Sequence, residues 1–247
     1  TDNASPSSVP QLTINNGNST SINSLDISYA TGGMIYRYEL DGYIYCSHTF
    51  LFDYDNSANG QSSHNFNVTQ DISVDFLIVA GGGGGATRVG GGGGAGGMVV
   101  GTSQTITTGT YSVVVGSGGA GGVQPNRQGY DGIASSFNTF SARGGGGGGG
   151  NTLPGTTTAV WGDEPWLSQG RARGGGSGGG ARGGDLSGSG PSLGNIYPST
   201  PNITQQDFYS STPNVTGYGN KGGQSIEANA RGAGGGGAGG QGENNHQ

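Results

Sequence analysis

Alternating apolar and polar positions between residues 34 and 52 predict a β-hairpin. The run MIYRYEL (34–40) is followed by Asp41-Gly42 and then by YIYCSHTFLF (43–52). An Asp-Gly pair between alternating runs favours a two-residue type I′ turn, because both turn residues need positive φ. With that turn the tyrosines share one face, which we expect to be the buried one; it carries Tyr36, Tyr38, Leu40, Tyr43 and Tyr45.

Further strands are predicted downstream of this hairpin. Asn59-Gly60 is a second turn signal, and SVDFLIVA (73–80) is apolar on both strand faces, which predicts a central strand. The run MVVGTSQTITTGTYSVVV (98–115) predicts two strands joined around Gly109. In the second of them one face carries Tyr111, Val113 and Val115. No amphipathic helix pattern is found, so the predicted class is all-β with an additional glycine-built part.

Glycine and charge divide the chain near residue 80. Of the 59 glycines, five lie in residues 1–80 and 54 in residues 81–247. Hydrophobic residues make up 30 %, against about 45–50 % in globular domains, so a conventional core over the whole chain is not expected. The net charge of −6 argues against general affinity for nucleic acid or anionic membrane. No apolar run approaches the roughly 18 residues of a membrane helix, so no membrane insertion is expected.

The glycine blocks allow two interpretations. A flexible linker is the simpler one, because ordered glycine loses more backbone entropy than any other residue. Serine is scarce in the longest blocks, however, and strand-like or aromatic segments separate them. Blocks of this length suit one or two turns of an extended three-residue helix, and helices without Cβ atoms can pack closely enough to exchange backbone hydrogen bonds. We therefore expect a bundle of polyglycine II-type helices.

The resulting organisation has three parts. Residues 1–10 are polar, contain two prolines, and are expected to form a flexible N-terminal arm. Residues 11–115 are the predicted β-domain with the first glycine blocks. Residues 116–247 are the predicted polyglycine-helix region, interrupted by two long loops at 151–174 and 191–220.

A family resemblance rests on ordered motifs rather than on single glycine runs. The motifs are an HTF strand (48–50), SVDFLIVAGGGGG (73–85), GTYSVVVGSGGAGG (109–122) and later glycine blocks. In this order they resemble the glycine-rich domain of bacteriophage tail-fibre and related virion proteins, common in viruses of marine bacteria. The resemblance implies a β-sandwich or jelly-roll-like domain with an inserted bundle of polyglycine II-type helices and long loops.

The chain departs from this family at its end. GGAGGQGENNHQ (236–247) is polar, where the family closes with an apolar strand. The closing strand is therefore expected to be absent or supplied by a neighbouring subunit. Residues 11–30 are a candidate for such a donated strand, since β-augmentation is an established mode of assembly.

The sequence contains no strong motif for catalysis, nucleotide binding or metal binding. The only lysine, Lys221 in GNKGG, does not form a phosphate-binding loop. Cys46 and the three histidines lack metal-ligand spacing. Neither a nucleophile–His–acid arrangement nor a carboxylate pair can be argued from spacing. We expect no enzyme activity, no metal and no cofactor.

The arginines allow two interpretations. Three Arg-Gly-Gly triplets, at Arg143, Arg173 and Arg182, would suit an RNA-binding protein. That mode of binding also needs aromatic residues between the triplets and an excess of basic residues, and the sequence provides little of either. We favour arginines that bracket polyglycine by donating to its carbonyls, since each guanidinium has five donors. The candidates are Arg88, Arg127, Arg143, Arg171, Arg173, Arg182 and Arg231.

The two long loops are the candidate contact regions. Loops on a rigid scaffold often contain the residues that bind a partner. Aromatic side chains beside carboxylates suit sugar recognition. Trp and Tyr are, however, also enriched at contacts between subunits. Both a host-surface glycan or protein and a neighbouring subunit are therefore candidate partners. The residues concerned are Trp161, Asp163, Glu164, Trp166, Tyr197, Phe208, Tyr209 and Tyr218.

These patterns together predict a non-enzymatic structural protein. The first hypothesis is a phage virion protein in a tail fibre, fibre tip or coat decoration, whose partners are copies of itself and other virion proteins. The second is a subunit of a secreted, self-assembling extracellular filament. The third is an RGG-type RNA-binding protein. The expected location is the virion or the extracellular space.

Overall fold

A computed structural model describes residues 29–123, 128–150, 175–180, 212–223 and 232–244. These residues form antiparallel β-sheets and no helix, so the predicted all-β class is confirmed. The strands are β1 (Ala30–Thr31), β2 (Met34–Leu40), β3 (Tyr43–Thr49), β4 (Ser57–Ala58), β5 (Gln61–Val68), β6 (Ile72–Val79), β7 (Met98–Ile106), β8 (Gly109–Gly116), β9 (Ser135–Phe137), β10 (Phe140–Ala142) and β11 (Val215–Tyr218).

Strands β2 and β3 form the predicted hairpin. Asp41 and Gly42 both have positive φ, 52° and 77°, and Leu40 lies opposite Tyr43, so the turn and the register are confirmed. The expected burial of the tyrosine face is wrong. Tyr36 and Tyr43 are 69 % and 70 % exposed, because the hairpin forms a sheet of its own and no described strand covers this face.

The largest sheet has six strands. Its order is β1-β5-β8-β9-β10, and the short β4 pairs with β5 through a turn in which Asn59 and Gly60 both have positive φ. The second predicted turn is thus confirmed. Strands β9 and β10 come from beyond residue 115, so both parts of the chain contribute to this sheet.

The second sheet has three strands in the order β11-β7-β6. The prediction that residues 73–80 form a central strand is wrong: among the described strands β6 pairs only with β7 and lies at the edge of its sheet, and Leu77 and Val79 on one of its faces are 61 % and 52 % exposed. The two strands predicted around Gly109 are confirmed as β7 and β8. They belong to different sheets, so the chain passes from one sheet to the other between them.

Two hydrophobic clusters join these sheets. The first combines Phe66 and Val113 of the six-stranded sheet with Ile106 of the three-stranded one, and the face of β8 that carries Tyr111, Val113 and Val115 packs in it. The second combines Val99 and Ala142 with residues of β6 and β11. Phe137 packs against both clusters. Its ring meets those of Phe66, Phe76 and Tyr111 at centroid distances of 5.7, 5.9 and 6.2 Å.

Several predicted features fall outside this description. The arm at 1–10 and residues 11–28 of the candidate donor strand lie outside the described residues, and so do the loop at 151–174 and residues 191–211 of the other loop. Ala30, at the end of the candidate donor strand, pairs with Val68 of its own chain. Among the residues described, no helix is long and apolar enough to span a membrane.

Candidate functional site: glycine segments and exposed aromatic surfaces

Backbone hydrogen bonds connect the glycine-rich stretches into one assembly. It comprises nine segments of the described chain, each bonded through N–H and C=O groups to others. In chain order we name them A (80–86), B (90–97), C (117–122), D (128–133), E (143–150), F (175–180), G (220–223), H (232–237) and I (240–243).

The hydrogen bonds repeat every three residues. Segment A donates to segment B from Ala80, Gly83 and Ala86, whereas Gly81 and Gly84, one position later, donate to segment D. A β-strand points successive N–H groups to two opposite sides, so it cannot direct them to partners with a period of three. The segments therefore bond to neighbours on several sides rather than within a flat sheet.

The pattern of partners arranges the nine segments as two rows. In one row C bonds to A, A to B, B to H and H to I; in the other D bonds to E, E to F and F to G. Bonds between the rows join each segment of the D–G row to two adjacent segments of the first, as when E bonds to both A and B. Each segment of the D–G row thus lies between two adjacent segments of the first row.

Close approach of the backbones requires glycine at most inner positions. A Cβ added at Gly83 or Gly145 would lie within 3.0 Å of the backbone of a neighbouring segment, closer than real side chains approach. Gly82 is different, because the nearest atom to its added Cβ is 3.6 Å away. The same openness recurs three residues later at Gly85, so one row of positions on segment A faces outward.

Three polar side chains enter the assembly. The carboxylate of Asp131 accepts the N–H of Gly147 at 2.7 Å, and the fully buried hydroxyl of Ser177 accepts the N–H of Asn220 at 3.3 Å. The Asn220 carboxamide donates to the carbonyl of Gly237 at 2.8 Å. None of these three residues was predicted from sequence, and the available signal was a short polar side chain beside a glycine block.

Two of the predicted bracketing arginines are described, and both are exposed. Arg88 lies in the turn between segments A and B with a φ of 61°, and Arg143 begins segment E, where its backbone carbonyl accepts the N–H of Gly97 at 2.7 Å. The others lie outside the described residues: Arg127, Arg171, Arg173, Arg182 and Arg231. A bracketing role for the guanidinium groups stays a prediction.

Of the predicted contact residues, the structure describes only Tyr218. It is 37 % exposed at the end of β11, opposite Met98 of β7. The remaining predicted contact residues lie outside the described residues, so their role stays a prediction: Trp161, Asp163, Glu164, Trp166, Tyr197, Phe208 and Tyr209.

The β2–β3 hairpin carries four exposed tyrosines, which are Tyr36, Tyr38, Tyr43 and Tyr45. The rings of Tyr38 and Tyr45 stack at a centroid distance of 5.3 Å, and Tyr36 stacks on Tyr38 at 6.1 Å. On the opposite face Ile35 and Ile44 are 46 % and 55 % exposed. The hairpin was predicted from sequence, but its tyrosine face was expected to be buried, so this exposed surface was not predicted.

The carboxylate of Asp53 stabilises the local backbone through hydrogen bonds. Asp53 is half-buried, and its carboxylate accepts the Asn56 side-chain amide at 2.7 Å together with the N–H groups of Asp55 and Asn56. The Asn56 side-chain hydrogen bond is the main cause that lowers the pKa of Asp53 below its ordinary value. No three His, Cys, Asp or Glu side chains of the described ranges come together in a way that could hold a metal ion.

Comparison with known proteins agrees with the glycine-built architecture. No characterised protein and no solved structure matches the chain significantly. A family model described as a glycine-rich domain matches residues 57–247, which include all nine glycine segments and strands β4 to β11. Since this match covers more than half of the sequence, the chain belongs to the glycine-rich domain family.

Proposed function

We propose that this chain is a non-enzymatic structural protein of a phage virion, located in a tail fibre, fibre tip or coat decoration. Its partners are other copies of itself and other virion proteins. In this role the β-sheets anchor the subunit and the glycine segments form a stiff scaffold. The resemblance in motif order to tail-fibre proteins supports the phage assignment.

The observation that carries this proposal is the three-residue hydrogen-bond period between the glycine segments. We infer that segments A to I are polyglycine II-type helices, inserted into a β-sandwich whose layers are the six-stranded and three-stranded sheets. Such helices have no internal hydrogen bonds, so their order depends on the neighbouring segments. The inner glycines leave no room for side chains, which fits a stiff scaffold better than a flexible linker.

Attachment to a host is the proposed role of the two long interruptions. The loop at 151–174 contains Trp161 and Trp166 beside Asp163 and Glu164, a combination that suits stacking on a sugar and hydrogen bonding to its hydroxyls. The same aromatics also suit contact with a neighbouring subunit.

A secreted self-assembling filament is the second candidate, and the edge of β6 favours it. This strand pairs only with β7 among the described strands, and Leu77 and Val79 are exposed beside the unpaired edge. An exposed apolar edge strand is a template for another chain. In a filament, a strand of the next subunit would pair there.

Localisation of the native protein separates these two functions. Antibodies against the purified chain are applied to virions and to virus-free culture medium of the host, and labelling is observed by electron microscopy. The proposal expects labelling at a fixed site on every virion. Label on filaments in virus-free medium, with unlabelled virions, would overturn it in favour of the second candidate.

A further inference from the structure

The glycine assembly has one open side. The row of segments C, A, B, H and I packs with one face on the D–G row, and we call the opposite side of this row the open face. Because the hydrogen bonds repeat every three residues, each segment directs every third N–H group to the open face. None of these N–H groups has a hydrogen-bond partner among the described residues; in segments A, B and H they belong to Gly82, Gly85, Gly93, Gly96, Gly232 and Gly235.

Solvent exposure agrees with this direction. Gly85 and Gly232 are exposed, and the other four glycines are half-buried. The N–H groups of Gly84, Gly91 and Gly94 turn to the D–G row instead, and these three residues are buried.

Backbone carbonyls on segment B complete the pattern. Two of every three accept hydrogen bonds from segments A and F, as those of Gly94 and Ala95 do. The carbonyls of the remaining third, at Gly93 and Gly96, accept from no described residue. The open face therefore repeats the donors and acceptors that join the two rows, and it continues that interface.

Glycine occupies the open face at positions where the fold itself leaves room for a side chain. A Cβ added at any of four glycines would meet no atom of another segment closer than 3.5 Å, and none of the four has a positive φ: Gly82, Gly85, Gly118 and Gly121. Alanine at such positions would reduce the entropy of the unfolded chain. A second backbone that approached this face as closely as the two rows approach each other would, however, require glycine there.

We propose that two copies of this chain associate through their open faces, so that N–H and C=O groups of one copy bond to those of the other. The same surface carries both donors and acceptors, so it is complementary to itself, as a two-fold interface requires. Segments A, B, C and H contain no charged residue, so the pairing brings no like charges together. The D–G row already orders these segments, and glycine has no side-chain freedom to lose on association.

This association is weak in dilute solution. Each backbone hydrogen bond between copies replaces bonds to water, and no large apolar side chain is buried. Dilute chains are therefore monomers with a hydrated open face, and pairing occurs where copies are concentrated. The inference rests on the proposed function for that setting, the virion.

Sedimentation equilibrium of the full-length chain tests the pairing. Between about 1 µM and about 1 mM, the average mass should rise from 24.4 kDa toward twice that value. Gly85→Glu puts a charged side chain on the open face where a Cβ is tolerated, so it should fold and weaken association by about tenfold or more. Tyr54→Glu adds the same charge at a residue 84 % exposed outside the glycine segments, and it should associate like the wild type.

Thermal unfolding of dilute Gly85→Glu checks that its loss of association is not a loss of fold, and its midpoint should not fall below that of the wild type. Gly118→Glu, on the neighbouring segment C, repeats the test at a second open position. A mass that stays at 24.4 kDa over the whole range, or association that both variants leave unchanged, would overturn the inference.

Amide exchange locates the contact. Gly82 and Gly85 should exchange fast in the dilute monomer and more slowly at concentrations where the mass has risen. Slower exchange confined to β6 would assign the contact to the edge of that strand and overturn the inference. Virion labelling tests the proposed function separately, since its outcome does not depend on whether the purified chain associates.

Discussion

Gly147 donates its backbone N–H to a carboxylate oxygen of Asp131 over 2.7 Å. This bond joins segments E and D at a position between two backbone bonds, from Gly132 to Gly145 and from Gly129 to Gly148. A side chain here takes the place of a backbone acceptor. Because buried N–H groups without partners are costly, the carboxylate completes the pairing of these two segments.

Replacing Asp131 should therefore loosen the pairing of segments D and E. Asp131→Ala removes the acceptor and should lower the free energy of unfolding by about 1–3 kcal/mol. Asp131→Asn keeps an acceptor oxygen without the charge and should lose less. Denaturant unfolding of the two variants and the wild type measures this order; equal losses would show that the hydrogen bond itself contributes little.

Two adjacent glycines should respond in opposite ways to alanine. Gly83→Ala puts a Cβ within 3.0 Å of the backbone of Gly146, and the resulting overpacking should cost about 1–3 kcal/mol or more. Gly82→Ala meets nothing closer than 3.6 Å, and it should be neutral or stabilising by up to about 1 kcal/mol, because alanine restricts the unfolded chain.

Thermal unfolding of this matched pair distinguishes packed segments from linker. A lower midpoint for Gly83→Ala alone is the expected result. If both variants unfold like the wild type, the segments do not pack as described. A second matched pair is Gly119, which meets the backbone of Asp131, and Gly118, whose nearest neighbour is 3.5 Å away.

Gly101 and Phe76 should be energetically coupled. They lie opposite each other on β7 and β6, and a Cβ added at Gly101 would fall within 3.0 Å of the Phe76 ring. Gly101→Ala should therefore destabilise the wild type by about 1–3 kcal/mol, and by less in a Phe76→Leu background where the ring is absent. Strictly additive losses in the double-mutant cycle would argue against this contact.

Asp53 should contribute to the pH dependence of stability. Its pKa is lowered in the folded chain, chiefly by the hydrogen bond from the Asn56 side chain. The stability it contributes is therefore present above the pKa of the unfolded chain and is lost as pH falls through the lower pKa of the folded chain. Asp53→Asn should show a shallower loss of stability on acidification than the wild type, measured by unfolding between neutral and acidic pH. Parallel pH profiles would exclude this contribution.

Local turn chemistry made much of the β-structure predictable. Asp41-Gly42 and Asn59-Gly60 need positive φ at both positions, and each pair fixes a hairpin register. Which strand faces are exposed was less predictable. An alternating strand shows the same sequence pattern whether its apolar face is buried within the subunit or is exposed on its surface. That ambiguity explains the wrong assignment of the tyrosine face and of β6 as a central strand.

The glycine assembly was predictable in kind but not in connectivity. Block lengths indicate extended segments, yet glycine carries no side-chain pattern to specify which segments are neighbours. The alanines hold part of that information: Ala95 and Ala120 are exposed, so they occupy positions where a Cβ is tolerated. Distant pairing such as Gly92 with Ala233 depends on the whole chain and has no local signal.

Amide hydrogen exchange, followed residue by residue by NMR on the native protein, tests the central claim that the glycine segments form an ordered assembly. In segment A, Gly83 and Gly84 donate to segments B and D, whereas Gly82 and Gly85 donate to no other described residue. We expect slow exchange at Gly83 and Gly84, at Gly145 and Gly146, and fast exchange at Gly82 and Gly85. Uniformly fast exchange across Gly81–Gly85 and Gly144–Gly150 would contradict the account.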